Sequence, residues 1–348
     1  LKSFDLVCPA PNPSTDRILM AHGGGGSLMH RLIRETFGPA LGSGDWHENH
    51  DSAEIRLGGV RVAFTTDSFV VQPLFFPGGD IGTLAVCGTV NDLAMAGARP
   101  VCLSAGFILE EGLEQAQLRR VVGSMGSAAA AAGVRFITGD TKVVDRARGD
   151  GMYVNTSGIG VIEHNLRIHP LSVRQGDVCI LSGDVGRHGI AVLNARESLA
   201  LEHSIESDVA PLHQPVLALI EAGLDIHCLR DLTRGGLATA LIEIAEASGV
   251  SIAVREASVP VREDVQGACE MLGLDPLYVA NEGRFVAFLP EGQAEQALAV
   301  LLRHPVTSGA CRIGRVAAAQ GSRVLLESRI GVSRVLDMLS GEQLPRIC

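Results

Sequence analysis

The sequence predicts a two-domain protein of α/β class (α+β type), on three observations. At 348 residues the chain is longer than one hydrophobic core ordinarily organises. From about residue 50, strand-like and helix-like runs alternate, the pattern of mixed sheets covered by helices. Near residue 165 the segment "LRIHPLSVRQGD", with Pro170 and Gly176, interrupts that alternation before it resumes. The expected organisation is a glycine-rich segment over 1–40, a first domain over 41–165, a second over 166–335 and a tail over 336–348.

Each element is set by local pattern. "RILMAHGGGGSLMHRLIRETF" passes from an apolar patch through four glycines into helical spacing at Leu28, Leu32, Ile33 and Phe37, with Ser27 as the expected helix start. "VRVAFTTDSFVV" reads as a strand, "IGTLAVCGTVNDLAMAGA" as a helix and "PVCLSAGFIL" as a strand. "LEQAQLRRVVGSMGSAAAAAG" is a helix stopped by Gly133, and "VRFITGDTKVV" and "MYVNTSGIGVI" are strands. In the second block "VCILSGDVGRHGIAVL" opens another α/β alternation. "APLHQPVLALIEAGL" and "GGLATALIEIAEASG" come next as helices, and "VSIAVREASVPV" and "GRFVAFLP" as strands. "GVSRVLDML" reads as the last helix, with Gly341 as its C-cap and Pro345 biasing the final residues toward an extended form.

Composition narrows the function classes. A formal charge of −10 without any basic cluster opposes nucleic-acid phosphates, so nucleic acid is not an expected partner. No run of 18 apolar residues is present, and "LKSFDLVCPAPNPSTDR" lacks the apolar core of a signal peptide, so the expectation is a cytoplasmic protein with no membrane partner. The eight cysteines, at 8, 87, 102, 179, 228, 269, 311 and 348, show no C-x-x-C pair and no zinc-type spacing. Cys87, Cys102 and Cys179 lie in apolar runs, where a free cysteine behaves as a small buried hydrophobe. Cys348 ends the sequence on a polar tail, and the seven residues from Glu342 onward span at most roughly 25 Å, enough to reach a site without a change of fold.

Four aspartates sit where strands end or helices begin: Asp51 in "HDSAEI", Asp67 in "TTDSFVV", Asp92 in "VNDLAMAG" and Asp140 in "ITGDTKVV". Each is compatible with a cap or turn, and four in one domain also suit Mg²⁺, which bridges carboxylates to substrate phosphates. Gly23, Gly24, Gly25 and Gly26 precede a helix start, so their N–H groups form either an anion cradle or a mobile loop; the P-loop's Lys-Ser/Thr is missing. "RDLTRGGLATAL" places Asp231 and Arg234 at a helix entrance, a second anion site or an ordinary capped helix. Lys142 shares a strand face with Asp140, and Glu282 in "YVANEGRFVAF" sits at a turn before a strand.

Taken in order, "AHGGGGSLM", "DSAEI", "TTDSFVV", "NDLAMAGARP", "GDTKVV", "LSGDVGRHGIAVL", "DLTRGGLA", "ANEGRF" and the terminal "PRIC" span nearly the whole chain. The set resembles the HypE family of hydrogenase maturation factors, a branch of the aminoimidazole-ribonucleotide-synthetase-like, ATP-using proteins. Glu54 departs from the family pattern, which has a small apolar residue there. The resemblance implies a two-domain fold of that type, with an N-terminal ATP-binding and dimerisation domain. It implies that ATP and Mg²⁺ are held by Gly23 to Gly26, Asp51, Asp67, Asp92, Asp140, Asp231 and Arg234, with the first four aspartates on the metal. It further implies that Cys348 receives a carbamoyl group from the carbamoyltransferase HypF and that ATP-driven dehydration turns it into a thiocyanate. The cyanide then passes to a HypC–HypD complex for the iron of a [NiFe] hydrogenase. Glu282 and Lys142 are implied near that cysteine, Glu282 as base and Lys142 as orienting cation, in a homodimer. Within the same superfamily, selenophosphate synthetase calls for a Cys or selenocysteine with Lys in the glycine-rich loop, which "HGGGG" lacks. Thiamine-monophosphate kinase and aminoimidazole-ribonucleotide synthetase have no use for a terminal cysteine. A non-catalytic carrier that only presents Cys348 is the reading from a different class.

Overall fold

The computed structural model describes residues 17–41, 50–197, 204–318, 321–339 and 347–348. Its N-terminal stretch forms a short helix α1 (Ser27–Leu32), which continues through a π-helical turn into α2 (Gly38–Leu41). Strands β1 (Ala53–Leu57) and β2 (Val60–Phe69) form a hairpin, and a small ribbon of β3 (Phe75–Phe76) and β4 (Gly79–Asp80) leads into α3 (Ile81–Met95). Then come β5 (Arg99–Glu110), α4 (Gln115–Ala131), β6 (Arg135–Val144) and β7 (Met152–Val161). These make a five-stranded sheet in the order β1-β2-β7-β5-β6. Only β5 and β6 run parallel, because α4 carries the chain back across the sheet between them.

One face of this sheet is covered and the other is open. Ala63, Thr65, Asp67 and Phe69 of β2 alternate toward α3, whereas Phe64, Thr66 and Ser68 point the opposite way. The α3 helix is buried on almost all sides, since the second domain packs on its far side. Its small residues make that possible: Gly82 abuts a carbonyl of α4 and Gly88 abuts the Phe69 ring. Asp80 caps the helix by accepting the Thr83 N–H at 2.8 Å.

The second domain contains β8 (Asp177–Leu181), α5 (Arg187–Glu197), α6 (His213–Glu221), β9 (Cys228–Asp231), α7 (Gly236–Ser248) and β10 (Ser251–Arg255). It continues with α8 (Glu263–Leu272), β11 (Phe285–Pro290), α9 (Ala294–Leu301), β12 (Cys311–Ala317), β13 (Val324–Glu327) and β14 (Ser333–Leu336). Seven strands pair in the order β14-β13-β10-β12-β8-β11-β9. Central strands β8 and β11 are apolar without alternation because both faces are covered. Cys179, Leu181, Val286 and Phe288 join the core under α7, and Val178, Ile180, Phe285 and Ala287 join the core under α6 and α9.

"GVSRVLDML", expected as a final helix, is instead β14, antiparallel to β13. The apolar positions of so short a run fit either period, and pairing with β13 decides for the strand. Gly341 lies outside the described residues.

Candidate functional site

Between the two domains lies a cavity of about 220 Å³ lined by residues from β2, α3, β9, α7 and the glycine run. Asp51 precedes β1, Asp92 sits in the last turn of α3 and Asp231 ends β9. Each offers a carboxylate oxygen, and these oxygens all lie within 4.8 Å of one another. Thr65 fixes the first two, its hydroxyl bonding the Asp92 carboxylate at 2.7 Å and lying 3.1 Å from the Asp51 carbonyl. Asp67 lines the same cavity. One oxygen of Asp51, Oδ2, is buried without a hydrogen-bond partner, which is costly unless a cation meets it. Three converging carboxylates with such an oxygen suit a hard divalent cation such as Mg²⁺.

Basic residues frame the acids. Arg230 Nε pairs with Asp51 at 3.0 Å and its Nη2 with Glu243 at 2.5 Å. Glu243 in turn binds His30 Nε2 at 2.9 Å, which ties α1 to the site. The chain turns from β9 into α7 through Gly235 and Gly236, at φ +78° and +60°, a left-handed pair that side-chain-bearing residues rarely adopt. That turn presents Arg234 to the cavity and to the glycine run, where its Nη1 donates to the Gly23 carbonyl at 3.3 Å. Gly25 packs on Arg234, while Gly24 and Gly26 are buried beside it. The glycines and "DLTRGG", two separate anion-site candidates in the sequence, therefore meet at one wall.

Crowding sets the proton affinity of the acids. Burial, reinforced by neighbouring carboxylates, pushes Asp92 well above the usual carboxylate range. Burial does the same to Asp51 against the opposing pull of Arg230. Burial moves Asp231 up to about 6, again opposed by Arg230. A cation requires these groups ionised, so its binding displaces protons and weakens as pH falls. Calorimetry of Mg²⁺–ATP binding at pH 6, in two buffers of different ionisation enthalpy, should show net proton release.

Glu282 sits on a loop pinned from three sides. Asp208 accepts the N–H groups of Glu282 and Gly283, both at 3.2 Å, Asn91 of α3 donates to the Glu282 carbonyl, and Asn281 donates to the Leu232 and Val279 carbonyls. Only glycine fits at 283, where an added Cβ would lie 1.9 Å from the Asp208 carbonyl oxygen. The Glu282 side chain is buried with Oε1 unpartnered. Burial, then the charges of Asp231, Asp208 and Asp67, push its carboxyl well above its ordinary range. Glu282 thus belongs to the acidic cavity's surroundings.

The end of the sequence comes to the same region. Val70, just past β2, donates its N–H to a main-chain oxygen of Cys348 at 3.0 Å, and Ile347 is buried in the core beneath α3. Cys348 is half-buried against that core. It therefore lies beside the strand that bears Asp67, in a core that also includes Ala280, two residues before Glu282.

Asp140 and Lys142 stand apart. Strand alternation puts both on the open face of the first sheet, on edge strand β6, where they pair with each other at 2.9 Å with 72% and 71% of their side chains exposed. Within the chain they do not line the acidic cavity, and Asp231 rather than Asp140 completes its carboxylate trio. Glu54 does not line the cavity and grips Arg61 through two bonds of 2.7 Å, so its departure from the family pattern has a local partner. Arg230, Glu243, Asp208 and Asn91 carried no sequence signal as site residues, since their partners lie far along the chain.

Family models of AIR synthase related proteins match both parts of the chain, the N-terminal domain over residues 49–162 and the C-terminal domain over residues 174–327. The chain is 52% identical over 335 residues to a carbamoyl dehydratase HypE of Rhodobacter capsulatus, covering 96% of this chain and 98% of the relative. The chain belongs to the HypE family of carbamoyl dehydratases. A crystal structure of a hydrogenase maturation protein HypE in complex with ATP superposes with a TM-score of 0.81 at 49% identity, covering 95% of this chain and all of that one (100%). A HypE–HypF complex gives 0.84 at 44% identity, covering 88% of this chain and 99% of the other. The α+β architecture expected from the sequence is that of the HypE family.

Proposed function

We propose that this member of the HypE family uses ATP to dehydrate a carbamoyl group carried on the sulfur of its own Cys348, giving a thiocyanate that supplies the cyanide ligand of a [NiFe]-hydrogenase iron. The observation that carries this reading is the seating of Cys348 against the strand that bears Asp67, next to the loop that bears Glu282. A thiolate is a strong nucleophile, so one side chain can accept the carbamoyl group and then present it to the cavity.

The amide-like oxygen of a thiocarbamate is a poor leaving group. Its attack on the γ-phosphorus of ATP releases ADP and leaves that oxygen phosphorylated, one N–H proton departing as the C=N bond forms; loss of phosphate then breaks the C–O bond while a base takes the remaining N–H proton, and S–C≡N forms. Asp51, Asp92 and Asp231 would hold Mg²⁺, which neutralises charge on the phosphates, with Asp67 beside them. Arg234 and the glycine run from Gly23 to Gly26 form the wall that receives the phosphates. Glu282 serves as the base: once ionised, a carboxylate with a raised pKa takes protons readily.

The same reading includes a symmetric homodimer formed by the open face of the first sheet, where Phe64, Ile108 and Ile159 are 41%, 45% and 38% exposed. Asp140 and Lys142 lie on that face, so their part in the chemistry, Asp140 as a metal ligand and Lys142 as the orienting cation, would be played across the subunit boundary. HypF is the carbamoyl donor and HypC–HypD the cyanide acceptor. A cytoplasmic setting fits this role, and among the described residues no helix is long and apolar enough to cross a membrane.

Cys348→Ser tests the reading. Incubated with HypF, a carbamoyl donor and ATP, the parent should release one ADP per carbamoyl group consumed at residue 348, and the variant none above background. ADP release by the variant at the parental rate would overturn the proposal.

A further inference from the structure

His188 occupies the first turn of α5 and is wholly buried. Its two ring nitrogens are both used. Nε2 lies 2.8 Å from the Ile347 carbonyl oxygen and Nδ1 lies 2.8 Å from the Ser207 hydroxyl. A carbonyl only accepts, so Nε2 carries the proton and Nδ1 accepts from Ser207, whose oxygen in turn accepts the Val209 N–H at 3.1 Å. Burial favours this neutral form by pushing the imidazole down. The Phe76 ring meets the imidazole at 89°, with ring centres 5.4 Å apart.

The group at the end of this chain of bonds is not part of the domain core. It is the backbone of residue 347, next to the cysteine. The Ile347 side chain enters the core that contains Phe76, Val192 and Ala280, and the Val70 N–H holds a main-chain oxygen of Cys348. Two successive main-chain oxygens are thus gripped from opposite domains, that of Ile347 by α5 and that of Cys348 from just past β2, with the Ile347 side chain as an apolar anchor immediately before them. A chain held at two adjacent backbone points and one side chain has little freedom left in the direction of its last Cα–Cβ bond. Such restriction turns a tethered sulfur into a prepositioned one.

We propose that His188 is a positioning residue that seats the reactive cysteine by donating to the backbone of residue 347, with Ile347 as the side-chain anchor that selects the seated state. This rests on the dehydration reading for its purpose, though not for its geometry. A bond to a carbonyl oxygen is indifferent to the chemical state of Cys348, so the same seat accepts thiol, carbamoyl and thiocyanate forms. Selectivity comes from the isoleucine, whose branched side chain is buried in the core that also contains Phe76.

The test compares His188→Ala, His188→Gln and Ile347→Ala with the parent. The first readout is the rate at which iodoacetamide alkylates Cys348, monitored by peptide mass without ATP or HypF. The second is the single-turnover rate of water loss from carbamoylated protein at saturating ATP, with ATP affinity measured alongside. His188→Ala and Ile347→Ala should raise the alkylation rate about tenfold or more and slow water loss about tenfold, with ATP affinity within about twofold of the parent. His188→Gln, whose side-chain amide reaches the same carbonyl, should recover most of both losses. Unchanged alkylation in Ile347→Ala, or a glutamine variant no better than alanine, overturns the inference. If His188→Ala fails to fold, Ile347→Ala decides alone. Faster alkylation of the variants combined with a parent that loses no water would uphold the seat and remove the dehydration chemistry.

Discussion

Glu282→Gln should leave Cys348 able to accept a carbamoyl group and slow the subsequent loss of water by about 10²- to 10⁴-fold, the usual contribution of a positioned base. Glutamine keeps the shape of the side chain, and the loop is held through the backbone by Asp208 and Asn91, so the fold is not at stake. The proton acceptor alone is lost. Because burial and three neighbouring carboxylates raise the Glu282 pKa, the carboxyl is protonated at pH values where an ordinary glutamate is ionised. Only the ionised form removes the carbamoyl proton. The parental single-turnover rate should therefore climb as pH rises through that raised pKa, and the glutamine variant should be flat over the same range. A glutamine variant with the parental pH profile would assign the base elsewhere.

Asp231→Asn should separate binding from stability in opposite directions. The Asp231 carboxyl is buried beside Asp51 and Asp92, and each raises the cost of ionising the others. Removing one charge relieves that repulsion, so the nucleotide-free variant should melt at a temperature equal to or above the parent's at pH 7.5. Mg²⁺–ATP, which needs the ionised trio, should bind at least about 100-fold more weakly, because breaking a converging carboxylate set removes a direct partner of the cation. A thermal shift assay with and without Mg²⁺–ATP reads both effects. A variant whose melting temperature still rises with Mg²⁺–ATP as the parent's does would show that Asp231 is not a ligand.

Much of the fold can be read along the chain, and the reasons are local. The strand at 60–69 and the helix at 81–95 are long and bounded by clear turn residues, so their period is unambiguous. The strand at 333–336 is too short for its apolar positions to choose a period, and its partner Val324–Glu327 carries the decision. Asp51, Asp67 and Asp92 are visible as acids at element ends. Asp231 reads there as part of an anion site with Arg234, because its approach to Asp51 and Asp92 is made between domains. The shared face of Asp140 and Lys142 is legible from strand alternation, whereas which face that is depends on where α3 and α4 pack. His188 is invisible as a functional residue in sequence, since its partner is a backbone carbonyl 159 positions away.

The central claim is that carrier and substrate are one sulfur. Carbamoylated protein, separated from HypF and given ATP with Mg²⁺, can be tracked by intact mass and by the mass of its last peptide. The account predicts that the peptide ending in Cys348 loses the mass of one water, one ADP appearing for each event, and that a non-hydrolysable ATP analogue gives no loss. A carbamoyl group that stays intact on Cys348 while ATP is consumed, or a loss of water that maps to any other residue, would contradict it.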